Sequence, residues 1–460
     1  MAMILAGTHR SHSGASLAWS SDSMLQDLDT AVLARAADLF VASETAGRNP
    51  ADGAADAFLR ALGYRENVGG DPEIEAHRGA LLNAATSFDR VFLLSARHAP
   101  GLVLMGAVVR PESVAGQAPG SVTGSGLDIR SAFESCVGEG IEFLSQFEHD
   151  GDVAGSGDEE PLVDVFPDAE GAPDWSGGRM IRGNDLATGA EVSLPFDRCI
   201  RSLRNSGAVT PPFMLGTGCG AGDTLDAAAL HGLFELIERD AAALWWWGRR
   251  RGRPLAAEEP GVRGALLYLA TLRGERVGRV TWFLDITTDV GVPVMASISV
   301  ERDGSHVACG TACRASVAAA LRSAIREMCQ MEMAYDVVRA KEAQSGAEAL
   351  NAVDLRHKER AAVISADSCE HLHPAGVPAR YMPVAEDDAG PGLTLPRIVQ
   401  RLGTIGAKVY RVDLTRERFG IPVARMIVPQ LQLYPSKVVS PRLKRCFDES
   451  GIDEPLFPLH

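Results

Sequence analysis

The stretch Gly220–Ala241, GAGDTLDAAALHGLFELIERDA, places a glycine-rich turn directly before a segment with the apolar spacing of a helix. This spacing predicts a helix over residues 225–247. Glu235 and Glu238 are three residues apart, so their carboxylates share one helix face. Apolar residues flank both, and two carboxylates facing a core are costly unless they are paired or bind a metal ion. A solvated stripe on an amphipathic helix is the alternative, and it is the usual explanation of a single E-x-x-E.

Two further segments repeat this arrangement on either side of the first. Each has a glycine-containing loop, a start rich in small residues and a pair of polar residues three apart: Glu139 with Glu142, and Glu327 with Gln330. The first glutamates of the three segments are separated by 96 and 92 residues. This near-equal spacing predicts one architecture built from related α/β units. The two additional helices are predicted over residues 128–147 and 317–338.

Converging carboxylates after glycine-rich loops are typical of a magnesium and nucleotide site. Mg²⁺ prefers a few carboxylates together with water and phosphate oxygens. Loop amides at a helix N-terminus bind phosphate. The chain contains no Gly-Lys dipeptide, which excludes a Walker A loop. Arg239 directly follows Glu238 and could grip phosphate with two donors, or form an ordinary surface salt bridge.

The charge of the chain is concentrated in one segment. The net charge of the chain is −15. Ser131–Gly178 contains 13 acidic residues and no Lys or Arg, so this segment accounts for most of the net charge. Residues 149–178 are rich in Gly, Pro and acid and are expected to form a long exposed loop. The negative charge disfavours nucleic acid as a partner. No apolar run is long enough to cross a membrane, and the start is a poor signal peptide.

The remaining regions carry weaker signals. Residues 1–85 are predicted to be helical and residues 86–460 to form the α/β region. The eight cysteines form no C-x-x-C pair, which favours buried thiols in a reducing cytoplasm. Trp245–Trp247, followed by GRRRGR, is either the end of a helix packed on the core or a surface that contacts an extended peptide.

At these motifs the chain resembles the YcaO family, ATP-dependent enzymes that activate peptide backbone amides. Ser125–Phe143 resembles the family's first signature, Gly220–Ala241 its second, and Ala320–Gln330 its third, which ends in E-x-x-Q. Asp413–Gln432, DLTRERFGIPVARMIVPQLQ, resembles the C-terminal block. The matches run from about residue 86 to the end. They imply an α+β fold of the YcaO type, with mixed sheets and helices and an added helical N-terminal segment.

The resemblance also implies roles for individual residues. Four glutamates would bind magnesium: Glu139, Glu142, Glu235 and Glu238. The ATP contacts would be these four together with Ser135, Asp223, Arg239, Glu327 and Gln330. Arg239 and the terminal carboxylate of His460 would act in catalysis, since the chain ends EPLFPLH and related azoline-forming members end in a proline-rich run. The chain departs from the family pattern at four positions, which are Ser125, Asp223, Ala227 and Gln430.

The activity implied is ATP- and Mg²⁺-dependent cyclodehydration of Cys, Ser or Thr in a ribosomally synthesised precursor peptide, as in thiazole- and oxazole-containing antibiotic biosynthesis. A leader-binding protein and, for azoles, a flavin-dependent dehydrogenase are expected as partners in an oligomeric complex. Two alternatives stay open. One is a thioamide- or amidine-forming enzyme, and the other is a non-catalytic ATP-binding scaffold.

Overall fold

The computed structural model describes nine stretches of the chain, and every structural statement below concerns these residues: 25–41, 52–65, 71–111, 119–153, 164–172, 179–202, 214–275, 278–378 and 393–451. The architecture is α+β, which confirms the fold class predicted from the sequence. Three sheets, of four, five and three strands, each pair their neighbouring strands antiparallel.

The first sheet has the strand order β1-β2-β3-β4. Its strands are β1 (Leu25–Leu28), β2 (Arg90–Ser95), β3 (Val103–Val109) and β4 (Gly120–Gly126). Four helices belong to this part of the chain, and they are α1 (Thr30–Val41), α2 (Gly53–Ala61), α3 (Pro72–Thr86) and α4 (Ile129–Ser145). Helix α4 packs on β4 and β3.

The second sheet has the order β6-β5-β11-β12-β7, so its two C-terminal strands lie between earlier ones. Its strands are β5 (Met180–Asp185), β6 (Glu191–Pro195), β7 (Cys219–Ala221), β11 (Tyr410–Asp413) and β12 (Val423–Ile427). Two helices accompany it, the short α5 (Phe196–Cys199) and the long α6 (Leu225–Trp246). Helix α6 packs on β7 and β12.

The third sheet has the order β10-β9-β8. Its strands are β8 (Arg279–Asp285), β9 (Val294–Glu301) and β10 (Ala308–Cys313). Helix α8 packs on β10 and β9, and α7 packs on α8. The remaining helices are α7 (Pro260–Arg273), α8 (Val317–Ser345), α9 (Ala352–Val363), α10 (Leu395–Thr404) and α11 (Pro441–Ser450). Helix α8 thus extends beyond the predicted 317–338, whereas α4 and α6 match their predicted spans to within two residues.

Three strand–helix units repeat within this fold, as the sequence predicts. The pairs are β4–α4, β7–α6 and β10–α8, and each helix begins with a side chain that caps a backbone N–H three residues on. The capping residues are Asp128, Thr224 and Ser316. Such caps satisfy one of the amides left unpaired at a helix start and fix where the helix begins.

A glycine in each strand lets the helix lie directly on the strand backbone. A Cβ atom on Gly124 would lie 2.2 Å from the Ala132 carbonyl oxygen, and one on Gly310 would lie 2.2 Å from the Ala324 carbonyl oxygen. Gly220 has the same relation to its helix, with the Ala228 carbonyl oxygen at 2.4 Å. The three helices are therefore held at a fixed depth against their strands.

The described residues before position 86 form helices α1 to α3, as predicted, and also strand β1, which pairs with β2. Phe58 contacts Phe133 of α4 edge to face, with ring centroids 5.6 Å apart. The Tyr64 hydroxyl donates a hydrogen bond to Glu134 of α4 at 3.0 Å. The N-terminal helices therefore support the outer side of α4.

The run of three tryptophans lies in the core and does not form a surface for peptide. Trp245 and Trp246 are each 2% exposed, and the Trp245 indole donates to the His371 carbonyl at 3.0 Å. In the basic run that follows, Arg251 pairs with Glu370 and Arg253 pairs with the buried Asp285. The interpretation of Trp245–Trp247 as a peptide-contacting surface was wrong, because the end of α6 packs into the core.

Of the acidic segment 149–178, the structure describes residues 149–153 and 164–172. These residues form no helix and belong to none of the strands β1 to β12. Asp152 accepts hydrogen bonds from Arg416 at 2.7 and 3.0 Å. Glu170 forms a bridge with Val439 and an ion pair with Lys444. Among the described helices of the chain, none combines the length and apolar character that crossing a bilayer requires.

We expect Gly124→Ala to lower the free energy of unfolding by about 1–3 kcal/mol or more, because the added methyl group overlaps the backbone of α4. Gly138, within α4 itself, is the matched control, since a Cβ atom there meets nothing within 4 Å. Gly138→Ala should be neutral or stabilising by about 0.5–1 kcal/mol, as for Gly in a helix interior. Chemical denaturation of the two variants measures the difference. Equal effects at both positions would show that close packing on the strand is not the cause.

Candidate nucleotide and metal site

Three equivalent positions on each of the three helices line a single cavity of about 610 Å³. Counted from the capping residue, these are the seventh, eleventh and fourteenth residues, which form one stripe along a helix face. Helix α4 presents Ser135, Glu139 and Glu142; α6 presents His231, Glu235 and Glu238; and α8 presents Ser323, Glu327 and Gln330. The repeat seen in the sequence therefore becomes a site at which three helix faces converge.

The first glutamate of each stripe is held by a backbone amide of the preceding loop or strand. The amide of Thr123 donates to Glu139 at 3.0 Å, and the amide of Thr311 donates to Glu327 at 3.3 Å. In the second unit, Glu235 accepts from the amide of Gly218 at 2.8 Å. One oxygen of each carboxylate is thus fixed against the sheet, and the other remains to bind a ligand.

Burial shifts these carboxylates toward their neutral form. It raises the pKa of Glu139 to about 7, with a smaller contribution from the charge of Glu235. Burial and the neighbouring charge of Glu238 raise the pKa of Glu327 to about 8. The pKa of Glu142 is raised well above its ordinary value by burial and by the charges of Glu235 and Glu139. Like charges crowded in this way require a cation before all of them can ionise.

Arg239 lies between the carboxylates of α6. Its guanidinium nitrogens are 3.7 Å from Glu235 and 3.7 Å from Glu238. Burial opposes the charge of Arg239, but the carboxylates of Glu238, Glu235 and Glu327 raise its pKa above the ordinary value. Glu238 is also fixed by the Thr311 hydroxyl at 2.9 Å. Arg239 is therefore a permanent cation at the centre of the acidic wall.

The donor set fits magnesium bound together with a phosphate ligand. Within the described parts of the chain, no three Asp, Glu, His or Cys side chains lie close enough to enclose one ion. Mg²⁺ is commonly held by only one or two carboxylates, and water and substrate phosphates complete its octahedron. Carboxylates spread over α4, α6 and α8 suit this mode, because each helix would supply one or two oxygens and the phosphates would supply others.

Several cavity residues are not identified by the sequence reasoning. Arg326 precedes Gln330 by four residues and so shares its helix face, a relation that the sequence does contain. Arg314 lies in the loop before α8. His357 reaches the cavity from α9, and Cys309 from β10. Only the tertiary fold brings these two residues to the site, and no local pattern marks them.

Not every predicted residue lies in the cavity wall. Asp223 is exposed at the start of α6, and its carboxylate accepts a hydrogen bond from the Thr224 amide. Ser125 and Gln430 are two of the positions that depart from the family pattern. Ser125 lines the cavity, whereas the side chain of Gln430 accepts a hydrogen bond from the Lys408 amide. His460 lies outside the described residues. The assigned roles of these residues stay predictions.

The raised pKa values predict how stability depends on pH in the absence of magnesium and nucleotide. A carboxyl with a raised pKa contributes stability that is complete below its ordinary value of 4.5 and is lost as the pH rises through its folded value. The loss should therefore extend to about pH 7 for Glu139 and about pH 8 for Glu327. Thermal melting should show a smaller loss over this range for Glu139→Gln than for the unmodified protein.

Magnesium with ATP should reverse this trend, because ions bind the ionised carboxylates and add most stability at the alkaline end of the range. The matched control is Glu73→Gln on α3, an exposed glutamate outside the cavity, which should leave both curves unchanged. A stabilisation by magnesium and ATP that is as large at pH 5 as at pH 8 would contradict this assignment.

Comparison with known proteins extends the similarity over most of the chain. A family model described as YcaO cyclodehydratase, ATP- and Mg²⁺-binding, matches residues 123–432. An uncharacterized protein in the tfuA 3′ region of Rhizobium leguminosarum bv. trifolii is 29% identical over 229 residues, 46% of this chain and 54% of that protein. An uncharacterized protein of Methanothermobacter thermautotrophicus is 25% identical over 300 residues, 62% of this chain and 72% of its own length. The chain thus spans about half the length of the first of these relatives.

Two solved structures share the fold. A heterocyclase in complex with substrate and cofactor gives a TM-score of 0.62 at 20% identity, covering 84% of this chain and 56% of that one. YcaO from Methanopyrus kandleri, bound with AMPPCP and Mg²⁺, gives 0.55 at 19% identity, covering 78% and 90%. The matched residues include all three helix stripes of the cavity, and the family description confirms ATP and Mg²⁺ as cofactors. The chain belongs to the YcaO family.

Proposed function

We propose that the protein is an ATP- and Mg²⁺-dependent cyclodehydratase that converts Cys, Ser or Thr of a ribosomally synthesised precursor peptide to azolines. The observation that supports this most is the cavity wall of five carboxylates and three guanidinium groups, a composition suited to magnesium and the phosphates of ATP. In the proposed reaction, the substrate side chain attacks the preceding amide carbonyl. This attack closes the ring, and the side-chain oxygen or sulfur loses its proton. The former amide oxygen takes the γ-phosphoryl group of ATP, which releases ADP. It then leaves as phosphate while the amide nitrogen loses its proton, and this forms the C=N bond of the azoline.

The side chains of the cavity can position and neutralise charge, and they need not act as nucleophiles. The glutamates of α4, α6 and α8 would hold magnesium ions, which neutralise phosphate charge when bound. Arg239 would add a positive charge beside them, at the place where negative charge grows on the transferred group.

The two cysteines of the cavity are poor nucleophiles. Burial raises the pKa of Cys219 to about 11, and burial also raises the pKa of Cys309. Both thiols are therefore protonated near neutral pH, whereas a thiolate is the reactive form. This agrees with a reaction in which the attacking group comes from the substrate.

The partners belong to the same proposal. A precursor peptide is the substrate, a leader-binding protein presents it, and a flavin-dependent dehydrogenase oxidises azolines when azoles are the product. The structural likeness to a heterocyclase in complex with substrate and cofactor, at 20% identity, concerns the fold and leaves the substrate of this chain to experiment. The cytoplasmic location, the oligomeric complex, and the roles of His460 and Asp223 are likewise parts of the proposal.

A second candidate function is an ATP-binding scaffold subunit without catalysis. The observation in its favour is at the start of α6, where Asp223 is exposed outside the cavity wall and Ala227 has no polar side chain. Both positions depart from the pattern that the resemblance implies. A thioamide- or amidine-forming enzyme would use the same cavity with an external nucleophile, so only the product distinguishes it.

We expect a precursor peptide incubated with the protein, its partner proteins, ATP and magnesium to lose about 18 Da for each ring formed, the mass of the water removed in dehydration. A gain of about 16 Da, from exchange of oxygen for sulfur, would identify a thioamide and overturn the azoline assignment. Mass spectrometry of the peptide measures either change.

Glu235→Gln should reduce both ring formation and peptide-dependent ATP turnover by about 100-fold or more, as for loss of a metal or electrostatic group in a catalytic site. Glu73→Gln, at an exposed position of α3, is the control and should keep full turnover. Negligible turnover in all three proteins, with the substrate peptide and partners present, would instead support the scaffold.

A further inference from the structure

The three strand–helix units differ from one another at the residue two positions before the capping residue. The first two units have glycines there, Gly126 and Gly222, and the third unit has Arg314. A Cβ atom on Gly126 would lie 2.4 Å from the Ser131 Cβ atom, and one on Gly222 would lie 2.7 Å from the Ala228 amide nitrogen. The first two units therefore have no room for a side chain at this position, whereas the third unit has the long cationic side chain of Arg314.

The side chain of Arg314 reaches the cavity without a carboxylate partner. Its one described hydrogen bond runs from Nη1 to the carbonyl oxygen of the adjacent Cys313, at 2.6 Å. Among the described residues, no Asp or Glu oxygen forms an ion pair with it, in contrast to Arg239 between its two glutamates. The cavity thus has a cation that forms no ion pair among the described residues, although its charge acts on the pKa of Glu327, which lines the same cavity.

Arg326, on the same unit, strengthens this asymmetry. Its guanidinium donates to the Ser323 hydroxyl at 3.1 Å, and in the described structure it too has no ion pair with a carboxylate. The third unit also contributes only one carboxylate to the stripes, because Gln330 stands where the other helices have a second glutamate. One side of the cavity is therefore acidic, and the side formed by β10 and α8 is the more basic.

Lysine cannot supply positive charge at this cavity. Among the residues that the structure describes, no lysine lines it, and the first lysine of the chain is Lys341. A bound polyphosphate therefore depends on metal ions, arginine and backbone amides for charge compensation. Arginine suits this task, because its guanidinium can donate two parallel hydrogen bonds to one phosphate.

We infer that Arg314 binds the polyphosphate chain of ATP from the β10–α8 side, in addition to the carboxylates of α4 and α6, which would bind it through magnesium. This assignment rests on the ATP site of the proposed function, and it does not depend on which peptide is modified. The phosphates would then be held both by metal ions at the carboxylates and by the arginine, so both contacts are needed for full affinity. Arg314 is the contact by which the third unit differs from the other two.

The test is the affinity of Arg314→Met for ATP, ADP and adenosine with magnesium present, measured by calorimetry. We expect ATP and ADP to bind about 10- to 100-fold more weakly, as for loss of a hydrogen bond to a charged group, and adenosine to bind as it does to the unmodified protein. Arg314→Lys keeps the charge but loses the two-donor geometry. Its affinities for ATP and ADP should therefore fall between those of Arg314→Met and those of the unmodified protein. Arg322→Met, at an exposed position of α8 outside the cavity, is the matched control and should change nothing.

Unchanged ATP affinity in Arg314→Met would overturn the inference, and so would an equal loss for adenosine. The melting temperature without nucleotide shows whether the methionine variant is folded. If it is not, Arg314→Lys decides, because unchanged ATP and ADP affinity in that variant would also overturn the inference. A protein that binds ATP through Arg314 and forms no azoline would refute the proposed reaction and leave this inference intact.

Discussion

The close seating of three helices on three glycine-containing strands is the constraint on which the site depends. Because Gly124, Gly220 and Gly310 leave no room between strand and helix, each helix is fixed in depth and rotation. The capping residue then fixes where the helix begins. With both set, residues seven, eleven and fourteen positions along must face the same cavity. The first glutamates of the three helices are more than 90 residues apart in sequence. Each is nevertheless placed by the same two local features, a strand glycine and a capping residue.

The cavity illustrates a conflict between folding and ligand binding. Burial and the charges of neighbouring glutamates raise the pKa of these carboxyl groups, so ionising all of them costs free energy. The fold offsets part of this cost through Arg239 and through backbone amides that each hold one oxygen. Metal ions bound beside these carboxylates would offset the rest, so the repulsion that lowers the stability of the protein would raise its affinity for cations.

The sequence predicts the parts of the site that obey helical periodicity. The glutamate pairs, the three helices and their shared relation to glycine-rich segments follow from spacing alone, and the structure brings Glu139, Glu235 and Glu327 to one cavity. Contacts made by the tertiary fold are not encoded in this way. His357 comes from a helix with no motif, and strand β1 pairs with a strand more than 60 residues away. The sequence likewise does not decide whether Trp245 is buried, because a run of tryptophans is compatible with both a core and an exposed surface.

The contact between the N-terminal helices and α4 has a consequence for the behaviour of a shortened chain. Phe133 of α4 is fully buried, and its partner Phe58 belongs to the N-terminal region, as does Tyr64, which bonds to Glu134. A chain that began at residue 86 would expose this apolar face and leave β2 as an unpaired sheet edge. Such surfaces promote association between molecules. The contacts of Phe58 and Tyr64 with α4 therefore keep an apolar face of the remaining chain away from solvent.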